Sequence, residues 1–100
     1  MQAQRKLISF IGLGSGDIAT ALYDYLKSHP EVYVPNEETN FFSNINIYAK
    51  GIGWYEDHFS GHQDGQKCGE LANSYLQSTP AVALMSRTYP SAKLFAVIES

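Results

Sequence analysis

One hundred residues with 44% apolar and 13% aromatic side chains suffice for one small cored domain and exclude a disordered chain. The net charge is −3, and the seven basic residues, Arg5, Lys6, Lys27, Lys50, Lys67, Arg87 and Lys93, are scattered, so the chain has no basic stripe for nucleic acid. Cys68 stands alone and excludes an internal disulfide, while the apolar run after Met1–Lys6 is too short for a signal peptide or membrane span; a cytoplasmic setting with no membrane partner is expected.

Leu7–Ile11 is a short apolar run of β-forming residues leading into Gly12-Leu13-Gly14-Ser15-Gly16. Behind it, Ile18, Ala21, Leu22, Tyr25 and Leu26 recur at the spacing of one helix face. The unit reads as strand, glycine turn, helix. Glycines let the backbone approach a ligand closely, and N–H groups at a helix start favour an anion, so a phosphate or sulfate ester is the natural guest. A tight β-to-α connection without a ligand is the competing reading of a glycine pattern taken alone.

The helix should stop near Ser28-His29-Pro30, since proline disfavours helical geometry at the residue before it. Glu31–Val34 reads as a short strand, and Asn36–Asn40 as a polar segment whose carboxylates, Glu37 and Glu38, stay near the surface while Phe41 and Phe42 plug the core. Ser43–Lys50 carries little signal. Gly51–Phe59 suits a short helix with Trp54, Tyr55 and Phe59 near one face, and Ser60–Gln66 a polar loop. Lys67–Glu70 suits a brief buried strand delivering Glu70 to the edge of the sheet. Thr79 as N-cap with Pro80 in the first turn starts a helix that runs toward Tyr89-Pro90. The last strand begins at Lys93 and reaches Ser100 where a loop and covering helix would be expected, so residues 1–100 read as the N-terminal part of a single, longer domain.

Apolar strands alternating with helices predict a three-layer α/β/α fold with a mostly parallel sheet, whose ligands sit beyond the carboxyl ends of the strands. Gly12 to Gly16, Glu37, Glu38, Glu70 and Glu99 all follow predicted strands and are expected around one crevice. Two other chemistries compete. Phe10–Ala19 also resembles the IGLGxMG start of NAD(P) dehydrogenases, with Glu37 placed for a ribose, although Asp17 occupies the third glycine position of GxGxxG. Asp57, His58, His62, Asp64 and Cys68 lie close together, but Gly61 and the polar loop argue for exposed histidines, and no metal is expected.

Several segments together resemble the sulfotransferases that use 3'-phosphoadenosine 5'-phosphosulfate (PAPS), particularly the bacterial and heparan-type branch. Ile11 to Val32 is similar to the opening strand, P-loop-like phosphosulfate loop and LYxYLxxHPxV helix of that family. Glu38-Thr39-Asn40-Phe41-Phe42 resembles its KExxFF segment, Trp54, Tyr55 and Phe59 its WYxxxF helix, and Gly69-Glu70 with Tyr75-Leu76 its GExxxxYL segment. Tyr89–Ile98 resembles its PxAKLIxxLR strand. The resemblance implies a PAPS-dependent transferase with Gly12, Gly14, Ser15, Gly16 and Thr20 holding the 5'-phosphosulfate, and Glu38 as general base. It also implies a hydroxyl or amine acceptor, a saccharide among the candidates.

The chain departs from that pattern at its cations. The family's loop lysine, as in KxGTT, has no counterpart between Gly14 and Ala19, where Asp17 stands instead; Glu37 occupies the position of the lysine before the base. Glu99-Ser100 stands where the family has arginine and asparagine. The implied consequences are weakened donor binding, little or no activity of this chain in isolation, and, as a further reading, a non-catalytic domain on the same scaffold.

Overall fold

The computed structural model describes residues 5–14, 16–76 and 78–97. In chain order the elements are β1 (Ile8–Gly14), α1 (Asp17–Ser28), β2 (Val32–Tyr33), α2 (Ile45–Tyr48), α3 (Ile52–Asp57), β3 (Lys67–Ala72), α4 (Asn73–Leu76), α5 (Thr79–Thr88) and β4 (Lys93–Val97). The strands form one sheet in the order β2-β3-β1-β4, and every pairing is parallel. This is the α/β architecture predicted, and none of its described helices is long and apolar enough to cross a membrane.

The register sorts the central strands into two faces, because paired residues of a parallel ladder point the same way. Ile11 and Leu13 pair with Glu70 and Ala72 on one side and with Leu94 and Ala96 on the other. Their face carries the core, where Phe41, Phe42, Tyr55, Phe59, Tyr75, Ala81, Met85 and Tyr89 are buried together. Much of it is aromatic: Phe41 stacks on Tyr55 at 4.8 Å, and Phe42 meets Tyr55 and Tyr75 edge-on at 5.2 and 5.8 Å. Rings in these offset and edge arrangements add to the area they bury. The opposite face holds Phe10, Gly12, Gly69, Leu71 and Phe95, with Phe10 and Phe95 stacked at 6.4 Å.

The glycine run behaves differently from the loop predicted for it. Gly12 and Gly14 belong to β1, because both edges of that strand continue pairing as far as Gly14. A Cβ at Gly12 would overlap the Leu71 side chain and the Phe95 ring, and one at Gly14 would press on Val97. The turn itself begins after Gly14. Gly16, the N-cap of α1, sits at φ 94°, ψ −173°, a region essentially restricted to glycine, and no side chain caps the helix.

α1 spans the predicted residues but presents another face to the sheet. Ala19 is its buried residue and Leu22, Tyr23 and Leu26 are half-buried, whereas Ile18 and Tyr25 are 56% and 61% exposed. The Tyr23 hydroxyl donates to the Pro35 carbonyl at 2.7 Å, which ties this face to the chain leaving β2. α2 went unread because it is only four residues long and its apolar side chains are divided, Ile45 being 80% exposed while Ile47 and Tyr48 are half-buried against the core; its local signal is Asn44, whose side chain accepts from the Asn46 and Ile47 amides. α5 is capped one residue earlier than expected, by Ser78 accepting from the Ala81 amide, with Thr79 and Pro80 inside the first turn.

Gly12→Ala is expected to lower unfolding free energy by about 1–3 kcal/mol, as overpacking does in a filled interior, measured by urea denaturation.

Candidate functional site

The connections from β1 and β3 leave the sheet in opposite directions, the first through α1 to β2 and the second through α4 and α5 to β4. Between the carboxyl ends of two such strands lies the switch point at which parallel sheets bind ligands. A cleft of about 350 Å3 opens there. Gly14, Gly16 and Thr20 form its wall at the start of α1, Ala19 and Tyr23 continue that wall along the helix, and Asn36 and Glu38 face them from the chain beyond β2. Leu71 and Asn73, at the end of β3 and the start of α4, complete the lining.

Of the residues singled out in the sequence, Gly14, Gly16, Thr20 and Glu38 are therefore brought together. Gly12 lies within β1, beneath Leu71 and Phe95, and does not line the cleft. Ser15 and Glu99 fall outside the described residues. Glu37 is exposed and not part of the lining. Ala19, Tyr23, Asn36, Leu71 and Asn73 went unpredicted; the signals for three of them were the i, i+4 spacing of Ala19 and Tyr23 and the position of Asn73 directly after a strand.

Thr20 donates its hydroxyl to the Gly16 carbonyl at 3.0 Å, so its side chain stays at the helix mouth. Glu38 is solvent-exposed, and one carboxyl oxygen accepts the Asn73 backbone N–H at 3.1 Å. The described lining contains no lysine, arginine or histidine. Lys67 opens β3, at the end of the strand away from the cleft, Lys50 sits over the Trp54 ring at 5.6 Å, and Arg87 is in the last turn of α5. Lys27 does reach the cleft wall, through its contact with the Asn36 side-chain oxygen.

Glu70 is not delivered to the sheet edge. β3 is an interior strand, and the carboxyl points into the core at 1% exposure. Three hydroxyls converge on it: Thr39 donates to one oxygen at 3.1 Å, while Tyr55 and Tyr75 donate to the other at 2.6 and 3.0 Å. Burial raises its pKa above the ordinary glutamate value of 4.5 and outweighs those three bonds, each of which favours the charged form; the charge of Glu38 adds to the rise. Burial, then the neighbouring Glu70, also pushes Tyr55 and Tyr75 upward, so both phenols remain donors at neutral pH.

His58 and His62 are engaged with carbonyls, their Nδ1 atoms lying 2.9 and 2.6 Å from the oxygens of Trp54 and Phe59. Among the described residues no group of His, Cys, Asp and Glu is arranged to hold a metal. The strand order also separates this sheet from dinucleotide-binding domains. There the strand after the first helix lies beside the first strand, whereas here β3 stands between β1 and β2.

No protein-family model matches the chain. Among curated proteins it is 34% identical over 88 residues to heparan sulfate glucosamine 3-O-sulfotransferase 3B1 of Homo sapiens, an alignment covering 88% of this chain and 22% of that protein. Heparan sulfate glucosamine 3-O-sulfotransferase 3A1 of Homo sapiens is 34% identical over 88% of this chain and 21% of its own length. Among solved structures, the fold matches a sulfotransferase from Alicyclobacillus acidocaldarius with a TM-score of 0.72 and 25% identity, over 94% of this chain and 44% of that one.

In both sequence and fold, most of this chain is similar to sulfotransferases.

It spans about a fifth of the length of the curated relatives it matches, 22% and 21%. The helix mouth and the Glu38 carboxylate share this cleft, but its described lining has no cation of its own.

The raised pKa of Glu70 fixes the sign of a pH effect. A folded state that holds its proton more tightly than the unfolded chain is favoured at low pH and loses that advantage as pH rises. Unfolding free energy is therefore expected to decline as pH rises from about 4.5 through the Glu70 titration, and Glu70→Gln should flatten that decline in denaturation curves recorded across the same range.

Proposed function

We propose that the cleft seats the anionic end of PAPS and that Glu38 removes a proton from the acceptor, as part of a sulfotransferase. The observation that carries this reading is convergence: Gly14, Gly16, Thr20 and Glu38, drawn from two separate sequence motifs, line one cleft at the start of α1.

The residues fit the sulfated end of the donor in shape. Gly16 places no side chain at the mouth of a twelve-residue helix, whose positive end favours an anion. Thr20 offers a hydroxyl beside it.

In sulfuryl transfer the sulfur–oxygen bond to the phosphate breaks as a bond forms to the acceptor oxygen or nitrogen, and the acceptor must lose its proton. Glu38 lines the same cleft as the helix mouth and is solvent-exposed, so its carboxyl group is open to an acceptor that must give up a proton. Its bond from the Asn73 amide orients the carboxylate and leaves a second oxygen for the acceptor. The N–H groups of the first turn of α1 are the donors we assign to negative charge developing in the cleft. The matched relatives are named for heparan sulfate glucosamine, and a glucosamine-containing saccharide is the acceptor class we propose.

The cation-free lining favours one further reading, a binding domain without catalysis on the same scaffold. Calorimetry with adenosine 3',5'-bisphosphate and a transfer assay from PAPS to a glucosamine-containing oligosaccharide separate the two. Saturable heat is expected, lost in Gly16→Ala. Glu38→Gln is expected to cut transfer about 10²–10⁴-fold while leaving nucleotide heat unchanged, the range a positioned base contributes. Heat without transfer would identify the non-catalytic domain, and neither signal would overturn both readings.

A further inference from the structure

The core residue Glu70 lies between the two segments that hold Glu38. Thr39, the neighbour of Glu38 in sequence, donates to one Glu70 oxygen at 3.1 Å. Tyr75 donates to the other at 3.0 Å. Tyr75 belongs to α4, and the first residue of α4, Asn73, supplies the amide that Glu38 accepts. The loop carrying the carboxylate and the helix end that orients it are thus fastened to one buried group.

Further bonds stitch the same two segments. The Thr39 and Tyr75 hydroxyls lie 3.1 Å apart, the Phe42 amide donates to the Tyr75 oxygen at 3.5 Å, and Ser74 donates to the Asn40 side chain at 2.6 Å. Asn40 bends the loop at φ 54°, a left-handed conformation uncommon outside glycine. Tyr55 differs from these. It binds the same Glu70 oxygen as Tyr75, at 2.6 Å, but belongs to α3, which supplies no residue to the cleft lining.

We propose that Glu70 is a positioning residue, whose bonds to Thr39 and Tyr75 set the Glu38 carboxylate against the Asn73 amide. The inference rests on Glu38 acting as the base, yet the geometry it describes can be measured without turnover. Burying a carboxylate with no cation beside it among the described residues is costly, and three hydroxyl donors offset only part of that cost. The arrangement gives in return a fixed anchor, since a buried acceptor loses its bonds only when the segments supplying them move together.

The test is the Asn73 amide proton in the NMR spectrum of the whole chain. Glu38→Gln calibrates the signal, because it replaces the carboxylate that this amide meets. Tyr75→Phe and Thr39→Val are expected to displace the Asn73 signal by most of that calibrated shift, and Glu70→Gln by at least as much. Thr39→Ser, which restores the hydroxyl, should return it to the wild-type position. Tyr55→Phe removes a hydroxyl from the same carboxylate and should leave the Asn73 signal in place. An unmoved signal in Tyr75→Phe and Thr39→Val overturns the proposal, as does an equal displacement in Tyr55→Phe, which would mean general loosening of the core. Should Glu70→Gln fail to fold, the tyrosine and threonine variants still decide. If Glu38→Gln retained full transfer activity, the base reading would fall while these shifts continued to report the geometry.

Discussion

A carboxyl group sealed in the core, with no cation beside it among the described residues, is the constraint around which this structure is arranged. Glu70 is 1% exposed, and its oxygens receive hydroxyl bonds from Thr39, Tyr55 and Tyr75. An unpaired buried carboxylate is expensive, so these three donors must come from segments that can be held close to β3. They come from the loop beyond β2, from α3 and from α4. Aromatic packing supplies the rest: Phe41 and Phe42, which follow Thr39, lie against Tyr55 and Tyr75, the same rings whose hydroxyls reach Glu70. Apolar burial and polar satisfaction therefore require the same arrangement, and neither ring can shift without disturbing both.

The cleft inherits its geometry from that core. β1 and β3 lie side by side because their connections leave in opposite directions, and this opens a space beyond their carboxyl ends. The loop locked over Glu70 brings Glu38 to one wall; the glycine mouth of α1 forms the other. Tyr23 donates to the Pro35 carbonyl and Lys27 contacts Asn36, so the far end of α1 is fastened to the chain that leads to Glu38. Opposite walls of the cleft are joined at their base as well as through the sheet.

Charge distinguishes this cleft from an ordinary anion site. Its described lining offers hydroxyls, glycine backbone and one carboxylate, with no cation. Helix dipoles and amides attract an anion only modestly when solvent reaches them, and Asp17 in the first turn of α1 weakens the attraction further. Lys27 is fastened to Asn36 at the cleft wall, removed from the helix mouth by most of the length of α1. The cleft is formed, but none of its described lining residues supplies a cation.

Local rules settled much of this in the sequence. Apolar β-formers before a glycine run, periodicity after it, proline at His29-Pro30 and a capped start ahead of Pro80 determined the strands and the two longer helices, because each is governed by neighbours a few residues apart. The likeness of spaced motifs to the sulfotransferases singled out Gly14, Gly16, Thr20 and Glu38. What only the tertiary structure decided depends on partners far along the chain. Gly12 is a packing residue because Leu71 and Phe95 occupy the space beside it, not because the backbone there must turn. Ile18 and Tyr25 face outward because Tyr23 anchors the helix from another side, which periodicity alone does not reveal. Glu70 reads locally as the polar end of a strand. It becomes the centre of the core only when β2 pairs on one side of β3 and β1 on the other, and when hydroxyls 5, 15 and 31 residues away close over it.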